Sequence, residues 1–171
     1  MARRAYYLTN AEPGLNPDSK ELAEVLIQRM GLSPRKKGST DQMYKVLIEL
    51  YERTKLSAKE KKPELAVLTV EEMGNKAAIT RQTMYDYIKR WNDLDLIAKT
   101  TYIYEGKVII GYKLNGATLE NAFEKAVVKV KNNLDLTLKY VRDLQNSIKK
   151  EKISETMRQK EPAQLENFDE K

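Results

Sequence analysis

Residues 69–97, TVEEMGNKAAITRQTMYDYIKRWNDLDLI, constrain this chain more than any other stretch. Apolar residues recur there at helical spacing twice, with a short break between. Thr69 is a helix cap, and Glu72 three residues later completes a reciprocal capping box. Val70, Met73 and Ala77 then share one face of a short helix. Gly74 costs that helix about 1 kcal/mol relative to Ala, and its missing Cβ admits close approach of the next helix. Ala77-Ala78-Ile79 makes the turn, with Ile79 as an apolar plug, and Thr80 caps a second helix that runs to about Leu94. Met84, Ile88, Trp91 and Leu94 face inward in this second helix. Arg81, Gln82, Thr83, Tyr85, Asp86, Lys89 and Arg90 are left mostly outward.

A hairpin is expected next. Residues 98–104 are rich in β-formers, Glu105-Gly106 makes a turn, and residues 107–114 return. Upstream, Leu65-Ala66-Val67-Leu68 is a short apolar run that suits a third strand, and residues 41–55 read as a helix with Met43, Val46, Leu47, Leu50 and Tyr51 inward. On these features residues 40–114 resemble the winged helix-turn-helix domain of bacterial and archaeal transcription regulators. The run ITRQTMYDYIKRWNDLDLI is similar to that family's turn, recognition helix and exit. One departure is Asp95, where many members carry Gly after the helix. The fold class expected is mainly α with a small β-hairpin wing (α+β), followed by a long C-terminal helix.

The flanks organise the rest. Pro13, Gly14 and Pro17 exclude a long helix near the start. Residues 19–30 suit an amphipathic helix with Leu22, Val25, Leu26 and Met30 on one side and Gly31 as its stop. The basic linker SPRKKGST at residues 33–40 is either an arm for phosphate or minor groove, or a solvated loop. From Thr118 to about Lys160 there is no Gly and no Pro, and apolar residues repeat by sevens. Phe123, Val127, Val130, Leu134, Val141, Leu144 and Ile148 line the seam, with Thr137 as its weak point, for about four heptads. That stripe has three uses open to it: pairing with a second copy, packing on the chain's own domain, or pairing with another protein. The domains expected are residues 1–39, an arm with a short helix; 40–116, the winged helix; 117–160, a coiled-coil helix; and 161–171, a disordered tail.

Composition excludes several chemistries. Cysteine and histidine are both absent. This removes disulfides, thiolate catalysis, Cys/His zinc sites and an imidazole base. No Gly-rich phosphate loop, G-x-S-x-G or H-E-x-x-H is present. No enzyme, metal or cofactor is expected. Met1–Leu8 lacks the apolar core of a signal peptide, and no run approaches the roughly 20 residues needed to span a bilayer, so a cytoplasmic location is expected. The net charge of +6 permits a polyanionic partner but is spread thinly along the chain.

The DNA-contacting set expected from the outward face and the resemblance is Thr80, Arg81, Gln82, Thr83, Tyr85, Lys89, Arg90 and Lys107. Arg grips guanine bidentately, Gln reads adenine, and Thr serves base or phosphate. A solvated helix face is the competing interpretation. Lys107 beside the hairpin turn suits backbone or minor-groove contact, whereas Trp91 suits a core anchor. The function expected is a homodimeric, sequence-specific double-stranded DNA-binding regulator, with repression favoured. Two rivals stand beside it: a plasmid or virus replication or partition protein using the same domain, and a scaffold that binds proteins and no DNA. No residue names an effector ligand, and no membrane partner is expected.

Overall fold

The computed structural model describes residues 5–33 and 39–166. Arg3-Arg4, most of the basic linker and the last five residues of the expected tail lie outside the described residues. The architecture is mainly helical with one small antiparallel hairpin. Helices α1 (Ser19–Arg29) and α2 (Met43–Glu60) lead through a 3-10 turn at Pro63–Ala66 to α3 (Val70–Ala77) and α4 (Arg81–Asp93). Strands β1 (Ile97–Tyr104) and β2 (Lys107–Leu114) follow, then α5 (Leu119–Glu166). The chain divides into two compact units, Met1–Val130 and Lys131–Lys171. None of the described helices is long and apolar enough to cross a membrane.

The first unit is built around one apolar cluster. Val46, Leu47 and Leu50 of α2, Met73 of α3, Met84 and Trp91 of α4, and Leu96 and Ile97 are buried together. The helical pattern puts those residues on facing stripes, and their burial is the main drive to fold. α1 joins the same cluster through Ala23 and Ile27, while Leu22 and Leu26 stay exposed. Its inward face is thus turned by one residue from the expected one. Small Ala23 allows a closer seat than the stripe of larger residues would.

Two other expectations are corrected. α2 continues to Glu60 instead of stopping near Lys55, and closes on Lys61 in the left-handed region (φ 55°). The run at residues 65–68 forms no strand; it is the end of the 3-10 turn plus a single bridge, Leu68 to Tyr112. That bridge is reciprocal, with both N–H···O distances at 2.8 Å. Pro63 accounts for the difference: it starts a 3-10 turn readily, which leaves too few extended residues for a ladder.

The hairpin pairs Ile97 with Leu114 at its root and Tyr104 with Lys107 at its tip. Glu105 (φ 49°) and Gly106 (φ 74°) both take left-handed φ, as a two-residue turn between right-twisted strands demands. At the root one face is buried through Ile97, Tyr112 and Leu114. Further out the same face continues as Ile110, Ile103 and Val108, which are exposed.

Early α5 packs in the first unit. Ala122, Ala126 and Val130 are buried, and Leu119 and Phe123 are packed, half-buried, against the core. Phe123 and Val130, expected in the pairing seam, therefore fill this chain's own core. Val127 is exposed. In the second unit α5 simply continues. Every side chain described from Lys131 to Glu161 is exposed, Leu134, Val141, Leu144, Ile148, Ile153 and Met157 among them. The helix runs on to Glu166, past the point where a disordered tail was expected.

Gly111 gives a direct test of this packing. A Cβ there would lie 2.6 Å from the Leu68 carbonyl oxygen and would also strike Val67 Cγ1. Gly111→Ala is expected to cost about 1–3 kcal/mol of stability, as overpacking does. Gly106→Ala meets open space and should cost only the roughly 1–2 kcal/mol of a left-handed residue. Urea unfolding of the two variants checks both.

Candidate functional site

The outward face of α4 is held in place by the turn that precedes it. Thr69 accepts from the Glu72 amide (3.2 Å) and Glu72 accepts from the Thr69 amide (3.0 Å), so the capping box of α3 is complete. α3 ends with Ala78 in the left-handed region (φ 57°), and the Ile79 amide donates back to the Gly74 carbonyl at 3.0 Å. A Cβ on Gly74 would sit 3.1 Å from the Ile79 carbonyl oxygen. The close approach expected of Gly74 is therefore to the turn itself. Thr80 then caps α4, its Oγ1 accepting from the Thr83 amide at 3.2 Å.

Glu49 of α2 ties α3 from the other side, 3.3 Å from Lys76, and accepts from Arg53 at 3.0 Å. Burial alone would raise the Glu49 carboxyl, but hydrogen bonds from Arg53 and Lys76 outweigh it and hold it below the ordinary range. α4 closes as α3 does. Asp95 adopts φ 58°, and the Leu96 amide returns to the Trp91 carbonyl at 3.1 Å, a Schellman closure. The left-handed residue expected of Gly is supplied here by Asp, which tolerates that region. Lys129 (3.1 Å) pairs with the Asp95 carboxylate, and Asn115 donates to its carbonyl at 2.8 Å.

Met84, Tyr87, Ile88 and Trp91 face inward and are buried. Gln82, Lys89 and Tyr85 are exposed, and Thr83 is half-buried. Thr80 is exposed too, but its hydroxyl is shared with the Thr83 hydroxyl at 3.0 Å, so both threonines serve the cap first. Arg81 projects from the first turn with its side chain 63% exposed. It is not a loose cation. Nη1 lies 3.2 Å from a Glu71 carboxylate oxygen, Nη2 donates to the Tyr85 hydroxyl at 3.2 Å, and the guanidinium stands 5.7 Å from the Tyr85 ring centre. The Tyr85 hydrogen bond, then the Glu71 charge, hold its proton still more firmly.

Arg90 differs from the rest of the expected set. Its Nη1 donates to the carbonyls of Ser33 (2.8 Å) and Gly31 (3.2 Å), and its guanidinium lies over the Tyr87 ring at 4.7 Å. Arg90 fastens the end of the α1 segment to α4. Tyr87, in turn, donates to Asp41 at 2.6 Å. Burial, then that carboxylate, push its phenol far above the usual range. Lys107 is exposed beside the hairpin turn, on the strand pair that also presents Ile103 and Val108.

Two features of this surface escape the sequence pattern. Glu71 reads as a first-turn charge suited to the helix dipole, yet it meets Arg81 across the turn. No periodicity signals a contact between the first turns of two successive helices. The exposed Ile103 and Val108 are hidden by alternation, which assigns their face to the core at the hairpin root. Among the described residues no group of three or more Asp or Glu side chains is placed to hold a metal ion.

No family model matches this chain, and neither does any curated protein or solved structure.

The two basic residues side by side on α4 should separate cleanly. Arg90→Ala removes charge-assisted bonds to two carbonyls and is expected to lower stability by about 1.5–3 kcal/mol. Lys89→Ala, on an exposed site, should stay within about 0.5 kcal/mol of the parent. Thermal unfolding measures both.

Proposed function

We propose that residues 40–114 form a winged helix-turn-helix, with α4 as the helix that enters a DNA major groove and the β1–β2 hairpin as the wing. On this reading the chain is a homodimeric, sequence-specific transcriptional regulator that represses by occupying a promoter. The observation that carries the reading is the division of α4. Its inner face is sealed by Met84, Ile88 and Trp91, while Arg81, Gln82, Tyr85 and Lys89 are exposed directly after a tight turn. Those outer groups are base-edge and phosphate donors, and a hairpin bearing Lys107 follows them.

Each group has a distinct task in this reading. Arg81 and Gln82 contact base edges, Lys89 and Lys107 contact phosphates, and Thr80 and Thr83 hold the helix start in shape. Arg90 is left out, because its donors are engaged within the fold. Two copies meet through the seam of α5, where Leu134, Val141, Leu144 and Ile148 are exposed at heptad spacing. The target is then a near-palindrome with half-sites about 34–36 Å apart, or a multiple of that.

Selection of bound sequences from a random duplex library tests the whole reading. A near-palindromic site with one-turn spacing is the expected product; absence of any enriched sequence would sink it. Arg81→Ala is expected to cost ~1–3 kcal/mol on the selected site and to relax one base position. Lys107→Ala should weaken binding evenly across sequences and reduce the salt slope by about one. Leu134→Glu combined with Val141→Glu should convert a dimer to a monomer in sedimentation and weaken binding to the two-half-site duplex far more than to a single half-site.

A second reading, a protein-binding scaffold, is favoured by one observation. Ile103 is 76% and Val108 66% exposed on the hairpin, and exposed apolar side chains suit a protein surface. A shift assay on random duplex DNA at low salt separates the two, since a scaffold leaves the duplex unbound.

A further inference from the structure

We propose that Glu71 is a specificity-determining residue: it holds Arg81 for a guanine edge and denies the same guanidinium to phosphate. This rests on the duplex-binding reading above and adds to it the base that is read and the residue that enforces the choice.

Fold stability does not account for the arrangement. The two side chains are 57% and 63% exposed, and surface ion pairs of that kind contribute almost nothing to stability. Arg81 is also the first residue of α4, where the positive end of the helix dipole disfavours a cation. What the arrangement does achieve is restraint. Glu71 grips one terminal nitrogen and Tyr85 the other, with the Tyr85 ring alongside. A guanidinium has more N–H donors than these two partners consume. The group is therefore oriented while it still has donors to give, and the ordering cost of a long side chain is met before any ligand arrives.

The charge logic selects the ligand. A free arginine attracts any phosphate, whatever the sequence. A carboxylate 3.2 Å from that arginine cancels the attraction locally and repels phosphate oxygens. A guanine edge is neutral; it asks for two aligned N–H donors facing O6 and N7, and no net charge. Glu71 thus penalises sequence-independent contact more than base contact. Asp86, exposed one turn before the exposed Lys89 on α4, offsets part of that lysine's charge as well.

The test compares full-length parent, Glu71→Gln and Tyr85→Phe on the parent's selected duplex and on a scrambled duplex of equal length, across a salt series. It is followed by a fresh selection with each variant. Glu71→Gln should bind the scrambled duplex about tenfold more tightly, steepen the salt slope by about one, and lose the guanine preference at one position. Tyr85→Phe should weaken that preference without changing the slope. A Glu71→Gln variant that keeps both the guanine preference and the cognate-to-scrambled ratio overturns the inference. So does equal weakening on both duplexes, which marks a merely structural role. A parent that binds duplexes with no base preference overturns the inference and leaves duplex binding standing. A parent that binds none at low salt removes the functional reading and the inference with it.

Discussion

The hydrogen bond from the Ile79 amide to the Gly74 carbonyl sets the direction of everything after it. It closes α3 inside a turn so short that Ala78 adopts left-handed backbone and a Cβ on Gly74 would crowd the Ile79 carbonyl oxygen at 3.1 Å. With that turn fixed, α4 has one way to seat Met84, Ile88 and Trp91 in the cluster built on α2. The opposite face is then exposed by default. The outward surface is a consequence of how the inward one is buried, and its rigidity comes from the core beneath it. A loop carrying the same side chains would not hold them in one plane.

The electrostatics of that surface are restrained. Arg81 is paired with Glu71, Arg90 is committed to Gly31 and Ser33, and Lys76 is tied to Glu49. The overall excess of +6 therefore overstates what α3 and α4 offer a polyanion. Any discrimination by this face has to come from the placement of donors, because long-range attraction is weak there. Arg81, Lys89 and Lys107 are the exposed cations of the proposed contact set, and Arg81 is paired with Glu71.

Much of this was legible in the residue pattern, and the misses share a physical cause. The capping box of α3, the Thr80 cap of α4, the inward faces of α2 and α4 and the hairpin are local or periodic signals, and all are present in the structure. The errors concern contacts made between elements. Periodicity finds an apolar stripe on α1 but not that Ala23 and Ile27 approach the core while Leu22 and Leu26 do not. It finds a seam in α5 but not that Phe123 and Val130 are claimed by the first unit. It finds Arg90 on α4 but not the carbonyls that take up its donors. Asp95 is the reverse case: a residue other than Gly follows the helix, yet the backbone takes a left-handed step there because Asp accepts it. Asn115 and Lys129 then hold that residue in place.

The seam on α5 also has an end. From Leu134 through Val141 and Leu144 to Ile148, its apolar residues stay on one side of the helix at steps of seven, three and four. Ile153 comes five residues after Ile148, and Met157 four after that. At 3.6 residues per turn a step of five swings the apolar line by about 140° around the axis. In the dimer proposed above, a companion helix following the first line would part from it near Ile148. Ile153 and Met157, one turn apart and both exposed, therefore lie on another side of the helix from the seam.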